Sequence, residues 1–172
     1  MATERLFFGL WPDGALRKRL VAERERLVGK PGRLSHPLDL HLTLVFIGSV
    51  DDELLPCIES AAEDVVQAPF TLSLAHIRDW PRQRLWLAET DGVADALMSL
   101  VSQLQQNLLA CGVPPENRRY RPHVTLARKA PPIAALPLAL DWPVSEFVLA
   151  GSAQGRTPSY RIHRAWPLIG TA

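Results

Sequence analysis

Two histidines lie in short segments of almost the same sequence, HLTL at 41–44 and HVTL at 123–126. Each histidine is followed two positions later by a threonine, Thr43 in the first segment and Thr125 in the second. Only 7 of the 172 residues are threonine, so finding this pattern at two of the 5 histidines is unexpected for this composition. The repeated pair marks a candidate site, whereas a lone histidine on a strand is more often structural, and we expect that of His36, His76 and His163.

Both segments alternate polar and apolar residues, as strands with one buried face do. His41 and Thr43 then share one face of the first strand, while Leu42, Leu44 and Phe46 share the other. The second segment repeats this arrangement. Each strand is therefore expected to bury its apolar residues and to offer an imidazole beside a hydroxyl.

Two such pairs facing one cleft suit the hydrolysis of a phosphodiester. One imidazole accepts the proton of the attacking water and the other protonates the leaving oxygen, because histidine titrates at about pH 6.5 and can take either role. The threonine hydroxyls donate hydrogen bonds to the non-bridging oxygens. We therefore predict that His41 and His123 are catalytic and that Thr43 and Thr125 bind the phosphate. We expect no metal and no cofactor, because a catalytic zinc site usually needs three protein ligands.

The remaining sequence predicts strands interleaved with three helices, which is typical of an α+β fold. The repeated motif indicates two related lobes that present their motif strands to a shared cleft. A Pro/Ala-rich stretch at 130–143 is expected to be a connection. Predicted strands cover 5–11, 40–48, 70–77, 84–90, 120–129, 144–150 and 160–168; predicted helices cover 15–28, the residues after 53 to about 66, and 91–111.

Composition limits the classes of function. The formal net charge is +1, from 19 basic and 18 acidic residues, so the chain lacks the basic excess of a protein that follows long nucleic acids. We therefore expect a nucleic-acid substrate to be held locally, at one end. No run approaches the ~20 apolar residues of a membrane span. Cys57 and Cys111 have no metal-ligand spacing, and we expect both to be reduced in a cytoplasmic protein.

The paired motifs resemble those of the 2H phosphoesterase superfamily, which carries two H-x-[T/S]-x motifs in the two halves of one domain. Within it the chain is similar to the LigT-like RNA 2′,3′-cyclic phosphodiesterases, historically called 2′-5′ RNA ligases. The resemblance covers essentially the whole chain. It includes the segments RLFFGL, LHLTLVFIG, RLWLAE and RPHVTLAR and the closing strand at 160–168.

This resemblance implies a single domain over 1–172, with two interleaved, pseudo-symmetric lobes, antiparallel-rich sheets around a central cleft, and helices outside. It implies hydrolysis of a terminal 2′,3′-cyclic phosphate of RNA to a 2′-phosphate, without a metal ion. The resemblance favours His41 as the acid that protonates the 3′ oxygen and His123 as the base. The same residues permit the reverse reaction in vitro, in which a 5′-hydroxyl replaces water and a 2′-5′ linkage forms.

Arg128 and Phe46 are further candidates for substrate binding. The family commonly carries an arginine after its second motif, at the position of Arg128, and Phe46 is the equivalent position after the first. An arginine and an aromatic ring can each stack on a terminal base. Strict alternation points both away from the histidines, unless a bulge redirects Arg128. Arg121, directly before Pro122, is expected at the surface.

Three other readings fit parts of the sequence. The same four residues would serve a phosphodiesterase acting on 2′-5′-linked oligonucleotides or on ADP-ribose cyclic phosphate. A non-catalytic module that binds RNA ends would keep the fold, although both histidines are present here. A structural α/β protein with incidental histidines does not account for the duplicated motif. We expect the partner to be an RNA 3′ end or short oligonucleotide with a 2′,3′-cyclic phosphate, and the protein to be a cytoplasmic monomer without membrane contact.

Overall fold

The structure, a computed structural model, describes residues 4–153 and 155–170. In that part of the chain, strands and helices alternate in an α+β arrangement. Each strand and helix predicted from the sequence is present, with its ends moved by a few residues. The elements are β1 (Glu4–Leu10), α1 (Gly14–Glu25), β2 (Arg33–Leu34), β3 (Leu42–Val50), α2 (Leu55–Glu63), β4 (Phe70–Trp80), β5 (Leu85–Thr90), α3 (Asp95–Leu108), β6 (His123–Arg128), β7 (Leu136–Val144), β8 (Glu146–Ser152) and β9 (Tyr160–Pro167).

The strands form two antiparallel halves that meet at the two motif strands. The strand order is β7-β4-β5-β6-β3-β1-β8-β9, with the short β2 paired to β6. Strands β3 and β6 are joined through one residue pair, Leu42 with Val124, whereas the neighbouring strands inside each half pair over most of their lengths. The expected two-lobed α+β fold is confirmed, and the two sheets are continuous through this single pair.

Helices α1 and α3 each cross from one half to the other. Helix α1 follows β1 of the first half, but its Arg24 donates a hydrogen bond to the Leu126 carbonyl on β6 of the second half (3.3 Å). Helix α2 lies against the first half, where Arg164 on β9 pairs with Glu59 and Glu63. Helix α3 packs beside α2 and β3. Its buried residues recur every three or four positions, as an amphipathic helix requires: Leu97, Leu100, Val101, Leu104 and Leu108.

Strand β7 corrects one expectation. The Pro/Ala-rich stretch at 130–143 was expected to be a connection, yet Leu136–Val144 is a strand that pairs with β4. Alternate residues of this strand are buried, which is the pattern of a half-buried strand. Pro137 and Pro143 are tolerated because β7 is an edge strand, where a missing N–H breaks no ladder on the outer side. The high proline and alanine content of this stretch obscured its alternation of buried and exposed residues.

The expectation of reduced cysteines is wrong for this structure. Cys57 on α2 and Cys111, just after α3, form a disulfide with their Cα atoms 5.8 Å apart. The two residues are 54 positions apart in sequence, so only the packing of α2 against α3 brings them within bonding range.

Candidate active site

The register between β3 and β6 brings the two motifs together. Leu42 and Val124 are directly paired and fully buried, so the residues on either side of them point to the opposite face. In this antiparallel register position 41 lies across from Thr125, and Thr43 lies across from position 123. The two imidazoles and two hydroxyls therefore line one cleft between the halves. All four side chains are half-buried.

A backbone carbonyl orients each imidazole in the same way. The Nδ1–H of His41 donates to the carbonyl of Asp39 (2.6 Å), and that of His123 donates to the carbonyl of Arg121 (2.8 Å). A carbonyl can only accept, so Nδ1 carries the proton and Nε2 is the atom left to exchange one. In the first motif Nε2 lies 3.2 Å from the Thr43 hydroxyl. Each histidine is thereby poised to act through Nε2.

Aromatic rings enclose His41. Trp11 is stacked on the imidazole at 4.7 Å with an interplanar angle of 14°, Phe7 lies at 5.0 Å, and Tyr160 is edge-on at 4.9 Å. Gly9 on β1 lies between Phe7 and Trp11 in sequence, and Trp11 directly follows the strand. A Cβ there would lie 3.2 Å from the Trp11 ring and 3.2 Å from the Leu42 carbonyl, which is closer than ordinary packing allows. A glycine at this position lets the rings close around the imidazole.

The Asp39 carboxylate anchors the segment that carries Tyr160. Asp39 is 8% exposed, and its oxygens accept hydrogen bonds from the backbone N–H groups of Ser159 (2.8 and 2.9 Å) and Tyr160 (3.2 Å). Its carbonyl at the same time accepts from His41. One residue therefore positions both the imidazole and the tyrosine packed against it.

Charged groups surround His123 instead. Its ring lies 4.9 Å from that of Trp80, and the Arg121 guanidinium lies 4.3 Å over the same indole. Glu89 on β5 is the cross-strand partner of His123 and is only 6% exposed. This carboxylate accepts from the Trp80 indole (2.8 Å) and pairs with Arg121 at 3.4 Å and with Arg78 at 2.9 Å.

These surroundings move the two pKa values downward by different amounts. Burial lowers the pKa of His41 to about 4, and the positive charges of His123 and Arg128 add to that effect, against the hydrogen bond to Asp39. Burial also lowers the pKa of His123, but the Glu89 carboxylate opposes this and favours the imidazolium. In the free protein a proton therefore goes to His123 before His41.

Comparisons with known proteins identify the family of this chain. A sequence model described as the 2′-5′ RNA ligase superfamily matches residues 12–155. This chain belongs to that superfamily. It is 31% identical to the RNA 2′,3′-cyclic phosphodiesterase of Escherichia coli, over 96% of this chain and 97% of that protein. The RNA 2′,3′-cyclic phosphodiesterase of Thermus thermophilus is 29% identical, over 96% of this chain and 91% of that protein.

Solved structures at 27–28% identity share the fold. The crystal structure of E. coli LigT complexed with 3′-AMP superposes with a TM-score of 0.85 and 28% identity, over 97% of this chain and 99% of that one. A crystal structure described only as a phosphoesterase has a TM-score of 0.88 at 27% identity, over 96% and 99% of the two chains. The two-lobed fold predicted for this superfamily member is thus confirmed over nearly its whole length.

Two bulges decide where Arg128 and Phe46 point. The β5–β6 register pairs Trp86 with Ala127 and Leu87 with Thr125, which leaves Leu126 as an extra residue. Leu126 and Ala127 are consequently both buried, and Arg128 returns to the cleft face. It lines the pocket that also contains His41 and Thr125. The strict alternation expected from the sequence is wrong at this position.

A matching bulge in β3 turns Phe46 to the cleft face. Leu44 and Val45 are both buried, and Phe46 pairs with Phe7, which contacts His41. Phe46 is 38% exposed and lies under the Arg5 guanidinium, 5.3 Å from its ring centre. It is not one of the described residues that line the pocket beside His41. The structure therefore brings Arg128, but not Phe46, to the two motifs.

Sequence reasoning missed most of the residues that hold the histidines. Trp11, Asp39, Glu89 and Tyr160 carry no motif of their own, and their only signal is position, close to a motif or on a strand beside it. The remaining three histidines, which were expected to be structural, lie in different parts of the fold. His76 contacts Glu89, His163 lies 2.9 Å from Glu4, and His36 lines the pocket beside His41.

Residues 4–153 and 155–170 contain neither a metal-binding cluster of side chains nor a membrane-spanning helix. No group of three or more histidine, cysteine, aspartate or glutamate side chains within those ranges is placed to hold a metal ion. None of the helices described there is long and apolar enough to cross a membrane.

Proposed function

We propose that this chain is an RNA 2′,3′-cyclic phosphodiesterase that hydrolyses a terminal 2′,3′-cyclic phosphate to a 2′-phosphate. The observation that carries this proposal is the pair of imidazoles across the β3–β6 junction, each tied through Nδ1 to a backbone carbonyl. The relatives named as RNA 2′,3′-cyclic phosphodiesterases support the reaction, and their matches extend over nearly the whole chain.

In the proposed reaction one Nε2 removes a proton from water as the water oxygen attacks phosphorus. The bond from phosphorus to the 3′ oxygen breaks, and the other Nε2–H gives its proton to that oxygen. Thr43 and Thr125 donate hydrogen bonds to the non-bridging oxygens, where negative charge grows in the transition state. Arg128, which lines the same pocket, adds a positive charge beside them. Replacing water with a 5′-hydroxyl gives 2′-5′ ligation by the same steps.

The direction of proton transfer is a separate part of the proposal. The family resemblance assigns the acid to His41 and the base to His123. Since the pKa of His41 is lowered to about 4, a bound phosphate anion that raises this pKa would favour the assignment. A substrate with sulfur in place of the 3′ oxygen needs no acid. The rate of His41→Ala should recover on that substrate, and recovery of His123→Ala instead would reverse the assignment.

The test of the function is the product formed on RNA. A short RNA ending in a 2′,3′-cyclic phosphate is incubated with the purified protein in EDTA, and the end group is identified. The expected product is a 2′-phosphate, formed by the wild type and by His163→Gln, a histidine control outside the cleft, and lost in His41→Ala and His123→Ala. An unchanged cyclic end would contradict the proposal and favour 2′-5′-linked oligonucleotides, ADP-ribose cyclic phosphate, or binding of RNA ends without catalysis.

We also infer a monomer in the cytoplasm, because RNA is an intracellular polymer and one chain supplies both motifs. The Cys57–Cys111 disulfide argues against the cytoplasm, where thiols are kept reduced. Counting free thiols in protein trapped at lysis with an alkylating reagent tests the location. Two free thiols agree with the cytoplasm, and none would contradict it.

A further inference from the structure

A second basic group borders the catalytic pocket. Arg33 on β2 is the cross-strand partner of Arg128 on β6, so the two side chains leave the sheet on the same face. Both residues are exposed, and both line the pocket that contains His41 and Thr125. Two guanidinium groups therefore lie at one end of the cleft, next to the proposed phosphate position.

No carboxylate of the described residues neutralises this pair. Neither Arg33 nor Arg128 forms an ion pair within the described ranges, whereas Arg121 at the other end of the cleft pairs with Glu89. Asp39 lines the same pocket, but its oxygens are already used by the backbone N–H groups of Ser159 and Tyr160. This end of the cleft is therefore free to attract an anion.

His36 adds a hydrogen-bond donor to this end. His36 accepts the Leu38 backbone N–H at Nδ1 (3.1 Å), so the proton of its neutral ring is on Nε2, a donor. The Ser35 hydroxyl donates to the Thr125 carbonyl (2.9 Å) and fixes this segment to β6. Donors and positive charge together favour a phosphate over a neutral base in this subsite.

We propose that Arg33, with Arg128 and His36, forms a subsite for the phosphate on the 5′ oxygen of the terminal nucleotide. This inference rests on the proposed function, since the cyclic phosphate must lie between the two motifs. The internucleotide phosphate of an RNA chain is then the second anion bound. The enzyme accordingly prefers an oligonucleotide with a cyclic end to a nucleoside 2′,3′-cyclic phosphate.

Three substrates distinguish binding of the second phosphate from binding of the cyclic phosphate. Adenosine 2′,3′-cyclic phosphate has no second phosphate, its 5′-phosphorylated form has one, and the dinucleotide ApA with a cyclic end has one as a diester. We expect kcat/KM of the wild type to be about tenfold higher for the last two, as for one charge-assisted hydrogen bond. This preference should shrink as salt is raised, because salt screens the attraction between the exposed arginines and the second phosphate.

Arg33→Gln should reduce that preference about tenfold, towards equal kcat/KM for the three substrates. Arg26→Gln makes the same charge change at an exposed site at the end of α1 and should keep the preference. Equal kcat/KM for the three substrates in the wild type would overturn the subsite. A preference that survives Arg33→Gln, with a changed ratio between adenosine and uridine substrates, would assign Arg33 to the base. Absence of hydrolysis of all three would contradict the proposed function instead.

Discussion

His41 and His123 occupy matching positions in the two halves but have different neighbours. Trp11, directly after β1, has its ring stacked on the His41 imidazole, while the cross-strand partner of His123 on β5 is the buried Glu89. The first histidine is therefore enclosed by aromatic rings. The second has a carboxylate and two arginines within its surroundings.

The backbone contacts of the two histidines match, and the difference between them comes from the neighbouring residues. Each motif ties Nδ1 to the carbonyl two residues before the histidine and places a threonine two residues after it. Burial is the main cause of both lowered pKa values, and the Glu89 carboxylate on β5 opposes it at His123. A nearly symmetric site can thus hold one neutral and one protonated histidine.

The largest expected effect comes from removing either histidine. His41→Ala and His123→Ala should each lower kcat by 10²–10⁴-fold, an order-of-magnitude range for a general acid or base. Both side chains are half-buried at the cleft, so the cooperative unfolding transition should remain. Steady-state kinetics and thermal unfolding measure the two properties. Full activity in either variant would show that the halves do not share the chemistry.

The pH dependence should show the unequal pKa values directly. Below about pH 4 both histidines are protonated and no base remains, while above the lowered pKa of His123 both are neutral and no acid remains. The profile of kcat/KM should therefore be a bell with its acidic limb at about pH 4 and its basic limb below the ordinary value of 6.5. Rates should fall about tenfold per pH unit outside these limbs. Either direction of proton transfer gives the same two limbs.

A profile that stays flat across both limbs would contradict the pair. A basic limb well above the ordinary pKa of histidine would instead contradict the lowered pKa of His123.

Asp39→Ala should disturb the His41 half alone. The change removes the carboxylate that holds the Ser159 and Tyr160 backbone N–H groups and releases the ring packed against His41. We expect about 1–3 kcal/mol less stability and about a tenfold lower kcat/KM. Asp141→Ala, which removes an exposed carboxylate bound to Ser73, is the matched control and should change neither.

Equal losses in the two aspartate variants would show that Asp39 has no special part in positioning. Denaturant unfolding and kinetics at one pH are sufficient to compare them.

Glu89→Gln tests the His123 half and should have the smallest effect on rate. Loss of the negative charge beside His123 lowers the pKa of that histidine further, so the basic limb moves to lower pH while the limb at about pH 4 stays. We expect a few-fold loss of kcat/KM near neutrality, where the protonated fraction falls. Glu116→Gln, an exposed carboxylate paired with Arg118, is the control. Movement of both limbs together would contradict a local effect.

The motif and the fold could be predicted because both depend on local sequence patterns. The repeated His-x-Thr pairs and the alternation of HLTL and HVTL required strands with a polar face, and the register of Leu42 with Val124 then determines how they meet. The direction of Arg128 was not predictable, because a bulge at Leu126 depends on how β5 pairs with β6.

Contacts made by tertiary packing were also beyond sequence patterns. Asp39 and Tyr160 are 121 positions apart, and Cys57 and Cys111 are 54 apart, so neither pair has a local signal. Strand β7 was obscured by its prolines, whose tolerance depends on being at the sheet edge. What the sequence left open was decided by strand pairing and helix packing.

The most direct test of the two-histidine account is a double-variant cycle on RNA ending in a 2′,3′-cyclic phosphate. His41→Ala, His123→Ala and the double variant are compared with the wild type by the rate constant of hydrolysis under single-turnover conditions. If the two imidazoles act as one acid–base pair, the double variant should lose about as much as the more damaging single variant. Losses that multiply would show two independent contributions and would contradict the paired mechanism.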